Sequence, residues 1–426
     1  MRATAAPSLL REIGRWSLTL GVINAVIGSG IFGLPSTVTG LLGAWSPVAV
    51  VIAGLLVLIV VLCFAEVGSR FDDAGGPYLY TREAFGPALG FQVGWMLVWI
   101  RILSGAAALN LFVAYSRTMA PVIATPGGRA LTMIAGTAIV TVINIAGVRN
   151  AAWTVNIFTL AKLLPLFLLV GIGVFHLDRS VLATQAVSSP NWTEAVLLLI
   201  FAYGGFESAV IPASETRHPK RDTAFALLMA MLSITGVYFL VQGTIVWTLP
   251  HAVQSSTPIA SALGEVMGPS GSTIGSFGVM ISVYGWLMGF AMLTPRILFS
   301  MAQRGELPAF VGSVHPRFRT PYIAIALNSV ALLGLGLFSS FAQAATLAAI
   351  ARLGIFALVC GSLIVFRSRG FETTGFRVPC GRLVAVAGIV FSLWLVGTRS
   401  FAQVWLLVAI VAAGAILWML RSETKM

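Results

Sequence analysis

The chain has 426 residues, 58% hydrophobic and only 9% charged, with a net charge of +12 and a mean hydropathy of +0.94. Soluble domains carry about 25% charged residues, so this balance excludes a water-soluble globular protein and describes an integral membrane one. Its basic residues sit in short loops between apolar runs, where they set orientation and do not form a nucleic-acid surface. Cys63, Cys360 and Cys380 are scattered without CxxC spacing, which argues against a disulfide framework or a metal site; no cofactor is called for.

Residues 1–17, with Arg2, Arg11 and Arg15, lead into the first apolar run without an A-x-A cleavage site. They read as a cytoplasmic N-terminus before a retained first helix. Runs of about 18 or more apolar residues mark membrane spans. Twelve are expected, near 18–41, 44–68, 88–116, 130–148, 153–175, 192–213, 223–249, 272–300, 321–339, 343–366, 382–399 and 401–420. Twelve spans put both termini on one side. Of the 26 Lys and Arg, only Arg117, Arg129, Arg179 and Arg399 fall in loops of the other side. Arg101, Lys162 and Arg352 lie within spans, which leaves 19 on the side of the termini. That asymmetry places the N- and C-termini in the cytoplasm and the chain in the cytoplasmic membrane.

The first span is interrupted by Gly28-Ser29-Gly30. Lipid offers no hydrogen-bond partners, so an unwound backbone at mid-depth frees N–H groups that can hold an anion. The alternative is a set of small residues for close helix packing. Gly28, Gly30 and Gly33 also spell G-x-G-x-x-G, but an apolar run precedes them and no Asp or Glu occurs between Glu12 and Glu66. The dinucleotide fingerprint needs a strand before it and an acid about 20 residues on, so that reading fails. Glu66 closes the second span and reads as structural, and Asp72–Pro87 reads as a turn-rich connector.

In the third span, Arg101 is a charge that cannot readily lose its proton and is expected to pair with carbonyls or line a pathway. Lys162 lies mid-way along the fifth span with no acidic residue within a helical turn. An intramembrane charge costs at least about 2.5–3.5 kcal/mol and is a functional hypothesis by default. A lysine that releases its proton could stand in for a coupling cation; the alternative is a snorkelling or locally paired lysine.

The sixth span carries Gly204-Gly205, then Glu207 and Pro212. Interrupted spans at equivalent positions of two halves point to a transporter's binding site, and this pairing favours a site over plain packing. N–H groups of Ser29, Gly30 and Ile31 would bind a carboxylate. Carbonyls near Val26, Phe201, Ala202 and Gly204 would accept from an ammonium, so the pair of breaks selects an α-amino acid. Glu207 either carries a proton or is a carboxylate satisfied by freed N–H groups. Phe201 is a candidate gate over the ligand, with Phe32 and Trp286 as lesser ones. In the tenth span, Arg352 is expected to pair with carbonyls or line a pathway.

With GSGIF at 28–32, GGPYLYTREAFGP at 75–87, FAYGGFES at 201–208, ETRHPKRD at 215–222 and TPRILFSMAQRGELP at 294–308, the sequence resembles the amino acid–polyamine–organocation (APC) superfamily. It is most similar to the bacterial L-type and cationic amino acid transporter-like branches. The resemblance implies an all-α, LeuT-like membrane fold: a first five-helix repeat at 18–175, an inverted second one at 192–366, accessory helices at 382–420 and a tail at 421–426. It implies alternating access, with Ser29 and Gly30 on the carboxylate, carbonyls of Val26, Phe201 and Gly204 on the amino group, and Phe201 as gate. Lys162 matches a helix-five lysine that stands in for sodium in proton-coupled members, and Glu207 matches a proton-responsive glutamate of some members. Arg101 and Arg352 match no specificity determinant.

The expected function is secondary transport of amino acids, neutral ones foremost, by proton symport or exchange. An exchanger or exporter of cationic amino acids or polyamines, and a receptor or channel of the same fold, are the alternatives. An enzyme is disfavoured because His176, His218, His251 and His315 fall in or near loops, far apart. The expected partners are the amino acid and the bilayer, with the chain as monomer or homodimer.

Overall fold

The computed structural model describes residues 13–71, 75–147, 151–209, 216, 218–370 and 375–421, with backbone alone at 151–161, 208–209 and 219. Residues 1–12, Asp72, Pro212, Glu215 and the tail 422–426, singled out above, lie outside the described residues.

Helices account for nearly all of the described chain. The first apolar run forms two of them, α1 (Arg15–Val26) and α2 (Ser29–Leu42). There follow α3 (Ser46–Gly68), a short α4 (Gly76–Phe85), α5 (Pro87–Ser116), α6 (Pro126–Ala146), α7 (Ala151–Gly173) and a single-turn α8 (Arg179–Ala183). The sixth run is again split, into α9 (Trp192–Ala202) and α10 (Phe206–Ala209). The rest are α11 (Pro219–Thr248), α12 (Pro258–Gln303), α13 (Tyr322–Phe338), α14 (Phe341–Ser368), α15 (Gly381–Gly397) and α16 (Phe401–Leu420). Within α12 the backbone kinks at Gly268, which adopts φ 69°; a glycine is what tolerates that angle.

Among the described residues, seven helical stretches are long and apolar enough to cross a bilayer, and four shorter apolar helices accompany them. Each of the twelve expected runs coincides with helix, but the breaks cut the first and sixth into pieces. At about 1.5 Å per residue, the 30 residues of α5 exceed the thickness of the hydrocarbon core. Outward faces are apolar: Phe338 is 91% exposed and Met419 80%. Such a surface belongs in lipid, and the molecule is a multi-pass membrane protein.

The packing has an internal correspondence. The most extensive contacts are α7 with α12, α3 with α11, α14 with α5 and α14 with α15, followed by α5 with α12 and α1 with α11. If the chain is divided before α9 and the halves are exchanged, α7–α12 maps onto α14–α5, and α1–α11 onto α9–α3. The broken pairs α1–α2 and α9–α10 fall at the centre, where α2 packs on α9 and α1 on α10.

One end of the bundle is closed by ion pairs. Glu66, fully buried, accepts hydrogen bonds from Arg70 (2.7 Å), from Arg367 (2.6 and 2.9 Å) and from the backbone N–H of Val378 (2.8 Å). This ties α3, α14 and the approach to α15 together, the structural role expected of Glu66. At the same end, Tyr78 on α4 donates to Glu306 (2.7 Å) beyond α12, with Arg304 over its ring. Two motifs more than 200 residues apart thus meet. Replacing Glu66 by Ala leaves two guanidinium groups without their acceptor, and unpairing a buried ion costs about 3–5 kcal/mol. Denaturant unfolding of the purified protein in detergent should show a loss of that order.

Candidate functional site

The two breaks are built by glycines at the places where backbones touch. α1 ends at Val26, Ile27 turns extended (φ −67°, ψ 95°), and α2 begins at Ser29 after Gly28 (φ −133°, ψ −148°). The gap therefore falls at Ile27–Gly28, one residue earlier than the centre of the glycine cluster, because Ser29 and Gly30 are already the first turn of α2. In the second break α9 ends at Ala202, Tyr203 and Gly204 turn, and Gly205 sits at φ 123° before α10. Only glycine occupies that region without strain.

Close approach explains the remaining glycines. A Cβ on Gly30 would lie 2.6 Å from the Cα of Ala202, and one on Gly205 would lie 2.5 Å from the carbonyl oxygen of Ala25. Each break thus presses its backbone against the other. A Cβ on Gly28 would meet the indole of Trp286 at 3.1 Å, and Trp286 stacks on Phe290 (5.3 Å between centroids, 16° between planes). Phe201 stands edge-on to Phe341 at 6.2 Å, while the Phe32 carbonyl accepts from the Tyr115 hydroxyl at 2.9 Å.

The polar groups released by the breaks have distinct fates. The N–H groups of Ser29, Gly30 and Ile31 open α2 and carry the partial positive charge of a helix N-terminus; the N-cap residue is Gly28, and among the described residues no side chain caps them. On the carbonyl side, the Tyr238 hydroxyl lies 3.0 Å from the Ala202 oxygen and 3.3 Å from the Val26 oxygen. With one proton it donates to one of them at a time, and each carbonyl keeps further acceptor capacity. The Phe201 carbonyl accepts from the Gly204 N–H (3.1 Å). Lys162, 4% exposed, donates to the carbonyls of Asn24 and Ile27 (3.0 Å for Ile27) and so caps the end of α1. It is held by backbone and is not snorkelling.

The two remaining intramembrane charges on this side meet each other. Glu207 Oε1 accepts from Arg352 Nε (2.8 Å), and its Oε2 accepts from the Gly205 N–H (2.8 Å). Both side chains are buried. The expectation that Arg352 pairs with carbonyls is corrected: its partner is the Glu207 carboxylate, and its guanidinium lies against the backbone of Gly204, where any Cβ would strike it. Glu207 takes both an N–H of the break and an arginine 145 residues away. Sequence spacing gives no signal for that arginine, nor for Tyr238; the only cue was that α11 bears a tyrosine and Gln242 one turn apart. Gln242 Nε2 lies 2.9 Å from the Thr39 and Ser46 hydroxyls and 3.2 Å from the Pro35 carbonyl; its two hydrogens tie α11 to α2 and the start of α3.

Comparison with known proteins agrees with this architecture. The family described as amino acid permease matches residues 13–419. The chain belongs to that family. It is 27% identical to the serine/threonine exchanger SteT of Bacillus subtilis over 411 residues, 92% of this chain and 91% of the relative. The methylthioribose transporter of the same organism is 27% identical, covering 98% and 94%. Its branched-chain amino acid permease BcaP is 25% identical, covering 95% and 92%. These relatives are transporters, not enzymes.

Because Gly30 meets backbone and not a flexible side chain, Gly30→Ala should force the two breaks apart. Binding of any amino acid substrate, read by ligand-induced thermal stabilisation, should fall by about ten-fold or more (roughly 1.4 kcal/mol), whereas Gly21→Ala, which meets nothing within 4 Å, should leave it unchanged.

Proposed function

We propose that this permease is a secondary active transporter of L-α-amino acids in the cytoplasmic membrane, working by alternating access. What carries the reading is the face-to-face placement of the two breaks, with the N-terminus of α2 against the carbonyl end of α9. The N–H groups of Ser29, Gly30 and Ile31 would take the substrate carboxylate, by the attraction of a helix N-terminus for an anion. The carbonyls of Val26, Phe201, Ala202 and Gly204 would take the ammonium, displacing or sharing the Tyr238 hydroxyl. Phe201 would close over the ligand as the gate.

The correspondence of packing between the halves supports twelve spans with two inverted repeats over 18–175 and 192–366, followed by two accessory helices. The short loops and their charge asymmetry support cytoplasmic termini. Glu207, tied to Arg352, offers no free carboxylate to a cationic side chain. That disfavours dicationic amino acids and polyamines and leaves neutral or acidic ones.

For coupling, Lys162 is the proton carrier in this reading. Its ammonium holds the carbonyl end of α1, so loss of the proton loosens the break and links protonation to the position of α1. The Glu207–Arg352 pair holds the second break in the same way and is the other group through which protonation could act. Symport and exchange both follow from such a site.

Purified protein in liposomes should take up L-amino acids, faster with an inward proton gradient or with internal amino acid. Dependence on sodium, or no uptake across the common amino acids, would overturn the proposal. Lys162→Ala should leave substrate binding measurable and flatten the pH dependence of uptake; an unchanged pH profile would return Lys162 to a structural role.

A further inference from the structure

Resting on the amino acid reading above, we infer that the substrate carries a second, negatively charged group on its side chain, a carboxylate received by Arg101 and Arg352. The zwitterion site reads only the α-carbon end of a ligand. What surrounds it therefore decides the side chain, and the charges there do not balance.

Arg352 uses Nε for Glu207, while its Nη1 is buried and has no hydrogen-bond partner among the described residues. The whole residue is 4% exposed, and its guanidinium rests on Gly204, inside the second break. Arg101 makes no ion pair or hydrogen bond among the described residues, is half-buried at mid-span, and lies within electrostatic reach of both Glu207 and Arg352. Contacts along the helices fix its depth. α5 and α14 run antiparallel: Met96 meets Gly354, and Leu111 and Phe341 both meet Gly33. That register sets Arg101 and Arg352 within about one helical turn of each other in depth.

A third group completes the set. α5 and α13 run parallel, with Gly105 against Leu332 and Asn110 donating to the Gly336 carbonyl. One turn back along both, Asn328 is level with Arg101. Asn328 is 1% exposed, and neither its amide nitrogen nor its amide oxygen has a partner among the described residues. Buried polar groups are normally satisfied, and an orphaned one costs about 1–3 kcal/mol.

The sum is two guanidinium groups against one carboxylate at the same depth, an excess of one positive charge. A net charge at mid-membrane is expensive unless paired. A ligand carboxylate accepts from planar guanidinium donors in bidentate geometry, supplies the missing negative charge and gives Nη1 an acceptor. The Asn328 amide adds a donor level with Arg101. A neutral side chain would leave the excess charge in place, and a cationic one would add to it.

The discriminating experiment compares acids with their isosteric amides in proteoliposomes: L-glutamate with L-glutamine, and L-aspartate with L-asparagine. Uptake of the acids should exceed that of the amides by at least about ten-fold, the effect of one charge-assisted hydrogen bond. Arg101→Gln, which breaks no hydrogen bond or ion pair among the described residues, should abolish that preference while amide uptake persists. Should Arg101→Gln not fold, Arg101→Lys, which keeps the charge but loses the planar bidentate fork, should still lower the acid-to-amide ratio. Amides taken up as well as acids, or an acid-to-amide ratio unchanged by the variant, would overturn the inference while leaving the amino acid reading intact. Thermal stabilisation by chloride that requires Arg101, without an acid preference, would also overturn it, since the charge would then be answered by an inorganic anion. No uptake of any amino acid would instead refute the reading on which it rests.

Discussion

In hydrocarbon no water reaches a free N–H or C=O, so a gap in a helical ladder must be answered by another part of the chain or by a ligand. The gaps at Ile27–Gly28 and Tyr203–Gly205 are answered unequally. Their carbonyl ends are met by protein donors, Lys162 on α1 and Tyr238 between α1 and α9. The N-terminal end of α2 keeps its N–H groups uncapped. In the proposed function, that inequality would let one end of the site attract a carboxylate and leave the other as acceptors shared with a hydroxyl and an ammonium.

The charges around the breaks follow from the same scarcity of partners. Glu66, at the bundle end, is surrounded by two arginines and a backbone N–H and serves stability. Glu207 is met by one arginine and one N–H, and both belong to or lean on the broken segment. The first arrangement welds three helices together. The second ties the break to one ion pair and one backbone N–H.

Several parts of this picture were legible in the sequence, for physical reasons that act locally. Apolar runs of span length, glycine clusters at mid-depth and charges inside apolar segments are all properties of short windows. They pointed to the helices, to both breaks and to Lys162 and Glu207. Pairings between windows were not legible. Arg352 was expected to meet carbonyls and meets Glu207 instead, since nothing in 145 residues of intervening sequence fixes which face of α14 turns toward α10. Tyr238 passed unremarked among the buried aromatics of α11 for the same reason.

By itself, then, the sequence determined the solvent this chain lives in, where its helices lie and where they break, because hydrophobic length and glycine content act within a helix turn or two. The tertiary structure alone decided which groups answer the breaks: Tyr238 over two carbonyls, Lys162 on the end of α1 and Arg352 on Glu207. Those relations depend on helix register and rotation, which are set by packing at contacts such as Gly30 on Ala202 and Gly105 on Leu332, far from the residues whose chemistry they fix.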